Sequence, residues 1–287
     1  MGLFYSVIAI VALLPRRSEI VIFAYFTYAA IIGFTRPLSP SIQYGVLAAN
    51  ASLFVLYAFL IRYDIRVLRE WLPLPSMLLG YKEMGWFALP HADTHLEDSW
   101  VRLDRLVLND WGGRALIESL GPVIPVLLEI SYTLVYTIGT FSLIMLYRHR
   151  ARHRMDEFLF CLLLGTFVAY ALFPFFPSEP PRAVFPGQDL PNIQPVFRRF
   201  NYWLLGNWGI HTSVFPSAHV SSAYAAAFAL RRILPQQPAI HGGVLILSTL
   251  IAISTVYGRY HYLVDALAGL AIAIGAAFVS RIAFRNP

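Results

Sequence analysis

A chain of 287 residues that is 57% apolar and 13% charged, with a mean hydropathy of +0.59, lies outside the range of ordinary soluble domains. It reads as an integral membrane protein: all-α, a polytopic helix bundle. The net charge of +6 and pI near 9.5 do not point to nucleic acid, because the basic residues sit in loops beside apolar runs and no nucleic-acid motif accompanies them. Anionic lipid headgroups and topology signals account for them.

Apolar runs of bilayer-spanning length, roughly 17 to 25 residues, fall at 20–35, 42–61, 120–147, 157–176, 217–234, 239–257 and 261–284. The first is short, so six or seven spans are expected. Leu3 to Leu14 is apolar but too brief to cross alone, and Pro15-Arg16-Arg17 closes it. No basic residue precedes that stretch and no small-x-small site follows it, so it is read as mature chain. Met1-Gly2-Leu3-Phe4-Tyr5-Ser6 fits a myristoylation pattern that short segments match by chance. The only cysteine, Cys161, lies inside an apolar run and carries no disulfide information.

Three parts are expected: N-terminal spans over 1–61, an external interfacial linker over 62–119, and a membrane bundle over 120–287. The linker holds seven basic and nine acidic residues, so its charge orients weakly. It carries Trp71, Trp86, Trp100 and Trp111, and a later loop carries Trp203 and Trp208. Tryptophan favours the headgroup level, so all six are expected on one face, on interfacial helices between the second and third strong spans.

Lys- and Arg-rich short loops stay cytoplasmic. Placing Arg148-His149-Arg150-Ala151-Arg152-His153-Arg154 inside also places Arg231-Arg232, Arg281 and Arg285 inside. The same threading puts 177–216 and the turn around Gly258-Arg259-Tyr260 on the periplasmic, exterior or luminal side. Arg16, Arg17, Arg62, Arg66 and Arg69 do not follow this pattern cleanly.

Apart from Glu157, the first residue of its run, Glu129 and Asp265 are the acids inside the predicted crossings, where a carboxylate costs about 2.5–3.5 kcal/mol on insertion scales. Asp265 follows His261 by four residues, so on a helix the two share a face. The carboxylate then holds one ring N–H and leaves the other nitrogen more basic. Read alone, the pair serves equally as polar glue between helices. In Phe215-Pro216-Ser217-Ala218-His219, Pro216 suits a first helical turn and Ser213 or Thr212 a preceding cap. The N–H groups of Ser217, Ala218 and His219 then face an anion; the competing reading is a simple cap with an interfacial histidine. Small residues from Ser221 to Ala227 let a neighbouring helix approach. Pro177-Ser178-Glu179-Pro180-Pro181-Arg182 stiffens a turn bearing a guanidinium, a natural phosphate partner. Arg259 is the other nearby cation; both also suit headgroup anchoring.

Over roughly residues 100 to 275 these motifs resemble the type 2 phosphatidic acid phosphatase superfamily, and within it the branch of fungal inositol phosphorylceramide synthase. Pro216-Ser217-Ala218-His219 is similar to its Pro-Ser-Gly-His motif. Ser254-Thr255, His261 and Asp265 are similar to its Ser-Arg-x5-His-x3-Asp motif. Its first motif, Lys-x6-Arg-Pro, would align Phe175 with the lysine, Arg182 with the arginine and Ala183 with the proline. With Thr255 at the later arginine, two of the family's cations are missing, as in the synthase-like branch. Segment Glu129-Ile130-Ser131-Tyr132 also resembles that branch, with a core role for Glu129.

The resemblance implies a metal-independent lipid phosphatase or phosphotransferase without cofactor, acting on a lipid phosphate ester or phosphodiester. In it His261, oriented by Asp265, forms a phosphohistidine, and His219 serves the leaving and incoming hydroxyls as acid and base. Arg182, Arg259, Ser217 and the backbone N–H groups of Ala218 and His219 hold the phosphate oxygens. Two alternatives keep the same side chains: a metal-dependent hydrolase using the His/Asp cluster, and a lipid carrier or flippase without chemistry.

Overall fold

The protein is described by a computed structural model covering residues 14–87, 94–210 and 213–285. Thr212, the Met1–Ser6 pattern and the Leu3–Leu14 stretch except Leu14 lie outside the described residues. Among those described, thirteen α-helices follow in order: α1 Arg17–Thr35, α2 Pro40–Arg62, α3 Arg66–Trp71, α4 Pro73–Phe87, α5 His95–Arg105, α6 Gly113–Ser119, α7 Val123–Arg148, α8 Met155–Leu172, α9 Pro181–Val184, α10 Val196–Trp208, α11 Ala218–Ile233, α12 Pro238–Tyr257 and α13 Leu263–Ala283. Six stretches are long and apolar enough to cross a membrane: α1, α2, α7, α12, α13, and Arg152–Phe175, which contains α8.

Polar contacts sort the helix ends into two groups. At one end, which we call the arginine end, Ser18 at the start of α1 binds Asp156 in the first turn of α8. There Arg69 of α3 pairs with Glu19 at 2.7 Å, Arg152 with Glu70 at 3.0 Å, and Arg232 with Glu157 at 3.1 Å. Arg232 also donates to the Phe284 carbonyl after α13. At the other end, the histidine end, Arg36 donates to the Pro174 carbonyl, Lys82 to the Trp208 carbonyl, and the Leu263 N–H to Asp104.

This sorting corrects the expected linker. Residues 62–71 lie at the arginine end, where Glu70 meets Arg152 and the Trp71 ring lies 6.3 Å from Tyr147. From there α4 runs back through the bundle: Tyr25 donates to the Gly80 carbonyl, and Tyr81 accepts the Ile210 N–H at the histidine end. The segment 73–87 is thus a return helix packed on α1 and α8, and only α5 and α6 remain of the interfacial linker. The six tryptophans do not share a face, because Trp71 sits at the arginine end. Helix α4 escapes a hydropathy reading because it is 15 residues long, begins Pro-Leu-Pro, and carries Lys82 and Glu83. With this crossing restored, Arg16, Arg17, Arg62, Arg66 and Arg69 join the arginine end with the later clusters.

Helix α11, the expected span at 217–234, has 16 residues and is shorter than the six stretches long enough to cross a membrane. It occupies the centre of the C-terminal bundle against α8, α12 and α13. Its alanines and serines make this possible. A Cβ added at Gly165 of α8 would lie 2.8 Å from Ala225, and one at Gly269 of α13 would lie 2.5 Å from the Ser217 carbonyl. Such distances leave no room for a methyl group, so backbone approach sets the spacing of these helices.

Candidate active site

Each histidine is placed by a helix start. Helix α13 begins after Tyr262, and Asp265, its third residue, accepts the Tyr262 N–H at 2.9 Å. This cap satisfies an otherwise orphaned donor. The same oxygen, Oδ2, lies 3.2 Å from His261 Nδ1, and the Val214 carbonyl lies 3.0 Å from that nitrogen. Two acceptors face Nδ1, so Nδ1 carries the proton and Nε2 keeps its lone pair.

Helix α11 begins at Ala218, past Pro216, which the sequence placed in its first turn. Ser217 is the N-cap, its hydroxyl accepting from the Val220 N–H at 3.4 Å, and the Phe215–Pro216 peptide is cis. Pro216 is thus outside the helix, and Ser213 is not its cap. The Ser217 N–H is already bonded to the Asp265 carbonyl at 3.0 Å, tying the two motif helices together. His219 then faces His261, with its Nδ1 3.4 Å from His261 Nε2 across 42 positions of chain.

The paired rings line a cavity of about 410 Å³. Arg182 and Ala218 line it too, with Tyr132 and Tyr136 of α7 and an apolar wall that includes Leu74, Met77 and Leu78 of α4. Leu78 and Tyr136, both solvent-accessible, line the cavity from α4 and α7. Arg182 is steered by the rigid Pro180-Pro181 turn and donates from Nη1 to the Tyr260 carbonyl at 3.3 Å.

Two sequence-expected phosphate ligands do not reach this cavity. Ser217 is fully buried and spends its hydroxyl on the helix cap. Arg259 is 1% exposed and pairs through Nη1 with Asp104 Oδ2 at 3.1 Å. Its backbone, at φ 62°, turns the guanidinium away from the histidines and under α5. Asp104 Oδ1 also takes the Leu263 N–H at 2.8 Å, so this ion pair fixes the segment carrying His261. Burial pushes the Asp104 carboxyl up to about 7 and the Arg259 guanidinium down, against their mutual attraction. Asp265 is likewise absent from the cavity lining: it lies behind His261, on the side opposite His219.

The sequence reading also missed contributions from α7 and α5. Glu129, Tyr132 and Tyr136 form a polar stripe at helical spacing on an apolar span, and that stripe was the available signal. The Tyr132 ring stacks on His219 with centroids 5.2 Å apart and on Tyr260 at 4.0 Å. Glu129 is buried, pairs with Arg198 at 3.1 Å and accepts from Tyr260 and Asn201. Trp100 of α5 touches both motif loops, with ring centroids 5.2 Å from Phe215 and 5.5 Å from Tyr262.

Residues 100–279 match the family model of the PAP2 superfamily. The chain belongs to that superfamily. A PA-phosphatase related-family protein of Dictyostelium discoideum is 29% identical over 127 residues, which is 42% of this chain and 22% of that protein. The chain therefore matches only about a fifth of that relative's length. The crystal structure of Aquifex aeolicus LpxE aligns with a TM-score of 0.46 at 19% identity, covering 63% of this chain and 93% of that one.

Proposed function

We propose that this PAP2-superfamily protein is a membrane-embedded lipid phosphatase or phosphotransferase working through a phosphohistidine on His261. One observation carries the reading: a nucleophile-ready nitrogen, His261 Nε2, faces a second imidazole at 3.4 Å inside an apolar cavity that also holds a guanidinium. The lone pair of Nε2 attacks phosphorus, and the bond to the lipid oxygen breaks with its electron pair going to that oxygen. His219 supplies the proton, then removes one from the incoming water or alcohol as the N–P bond is cleaved. Arg182 and the N–H groups of Ala218 and His219 meet the charge on the equatorial oxygens. The two motif departures at Phe175 and Thr255 favour the branch similar to inositol phosphorylceramide synthase.

The histidine end is assigned to the non-cytoplasmic side. The support is that Arg16, Arg17, Arg62, Arg66, Arg69 and the three later clusters gather at the opposite end, following the positive-inside tendency. The metal-hydrolase alternative fits less well, since Asp265 and His219 address different nitrogens of His261 on opposite sides of its ring. A carrier would need no such pair. The test is to incubate purified protein with phospholipids, isoprenoid phosphates and alcohol acceptors and to identify products by mass spectrometry. A released phosphate or transferred headgroup is expected; binding without any product would overturn the assignment.

A further inference from the structure

Of the side chains lining the cavity, Tyr136 has the contact with most bearing on the chemistry and no role so far. Its hydroxyl lies 3.2 Å from His219 Nε2, the nitrogen pointing away from His261. Tyr132, one helical turn earlier on α7, covers the flat face of the same ring, and the Tyr136 ring meets its edge at 84°. His219 is thus held by face, edge and nitrogen from a single helix. We propose that Tyr136 is the positioning residue of His219, fixing which nitrogen exchanges protons with substrate. The inference rests on the acid and base role given to His219 above.

The argument follows from donor and acceptor roles. His261 Nδ1 is protonated toward Asp265 and Val214, so His261 Nε2 can only accept. His219 Nδ1, which faces it, must then be the donor in the resting site. A neutral His219 protonated on Nδ1 has a bare Nε2, and the Tyr136 O–H donates to it. When substrate binds, its phosphate charge favours uptake of one proton from solvent at Nε2; the ring is then an imidazolium, Nε2–H donates and the phenolic oxygen accepts. As Nδ1 gives its proton to the departing oxygen, the ring returns to neutral with Nε2–H still held by Tyr136, and Nδ1 is free to take a proton from the incoming hydroxyl. A hydroxyl suits this task because it donates and accepts by rotating, and it forms no charge of its own. The arrangement parallels Asp265 on His261, with a neutral partner where the ring gains and loses protons and an acidic one where the ring turns cationic as phosphorus bonds Nε2 while Nδ1 keeps its proton.

The decisive experiment is Tyr136→Phe, read in two ways. Nitrogen-15 chemical shifts of His219 in detergent-solubilised protein report the tautomer without needing turnover. In the wild type, at a pH where the ring is neutral, the proton is expected on Nδ1; in the variant a population with Nε2–H is expected to appear. A wild-type ring already protonated on Nε2, or an unchanged tautomer in the folded variant, would overturn the proposal. In kinetics, the variant is expected to lower kcat for decyl phosphate about 10- to 100-fold more than for 4-nitrophenyl phosphate, the size of one hydrogen bond to a charged group, because a nitrophenolate leaves without a proton. Equal losses on both would mark Tyr136 as merely structural. If the wild type turns over neither ester, the proposed function fails, while the tautomer measurement still decides the positioning role.

Discussion

Residues 14–87 and residues 100–279 make unequal contributions to the site. The second region, which matches the superfamily, supplies both histidines, Asp265 and Arg182, with every polar contact to them. The first region lies outside that match and supplies only side chains from α4, including Leu74, Met77, Leu78 and Tyr81, to one wall of the cavity. Under the proposed function the difference separates chemistry from fit: the groups assigned to the reaction converge in the C-terminal bundle, while the N-terminal helices shape the space beside them.

The largest effect should come from the chemical half. His261→Ala is expected to abolish product formation in a folded protein, measured as phosphate or headgroup release. His219→Ala is expected to cost about 100- to 10,000-fold for leaving groups that need a proton, and less for a nitrophenyl ester. An equal loss on both substrates would mean that His219 acts on something other than the leaving oxygen.

Asp104→Ala tests the scaffold of that half. It leaves buried Arg259 with Asp189, 3.8 Å away, as its remaining carboxylate, and thermal unfolding in detergent is expected to show a loss of about 3 kcal/mol. The carboxyl also sets a pH dependence. With a folded value near 7 against about 4 in the unfolded chain, the folded state holds an extra proton between those values. Its contribution to stability therefore falls as pH rises from about 4 through 7, and Asp104→Asn should flatten that slope.

The smallest effect should come from the fitting half. Leu78→Trp in the cavity wall is expected to shift the ratio of long- to short-chain substrate turnover by about 10-fold, within the range for apolar pocket changes. If it abolished turnover of every chain length, α4 would have a part in the chemistry itself, and the division between the halves would be wrong.

The same division runs through what could be read before the fold was known. Short, local geometry was legible: His261 beside Asp265 one turn on, and His219 at the start of a small-residue helix. The alternation of long apolar helices was legible as well. Helix α4 was not, since its prolines, Lys82 and Glu83 depress its hydropathy, and only contacts such as Tyr25 with Gly80 reveal it as a crossing. Missing it displaced Trp71 and five arginines to the wrong group. Arg259 misled for a related reason: proximity in sequence to His261 suggested a shared ligand, whereas its left-handed backbone and a partner 155 positions away, Asp104, turn it elsewhere. Tyr136 was hidden because an aromatic at helical spacing on an apolar span looks like packing until the partner of its hydroxyl is seen.

The central claim is that both imidazoles act on one phosphorus atom with His261 as the nucleophile. Its most direct test is to mix His219→Ala protein with a lipid phosphate, quench at alkaline pH where phosphohistidine survives, and map the modification by peptide mass spectrometry. Phosphate, or the transferred headgroup phosphate, is predicted on His261 alone. A modification on another residue, or steady product release with no trace of one on His261, would contradict it.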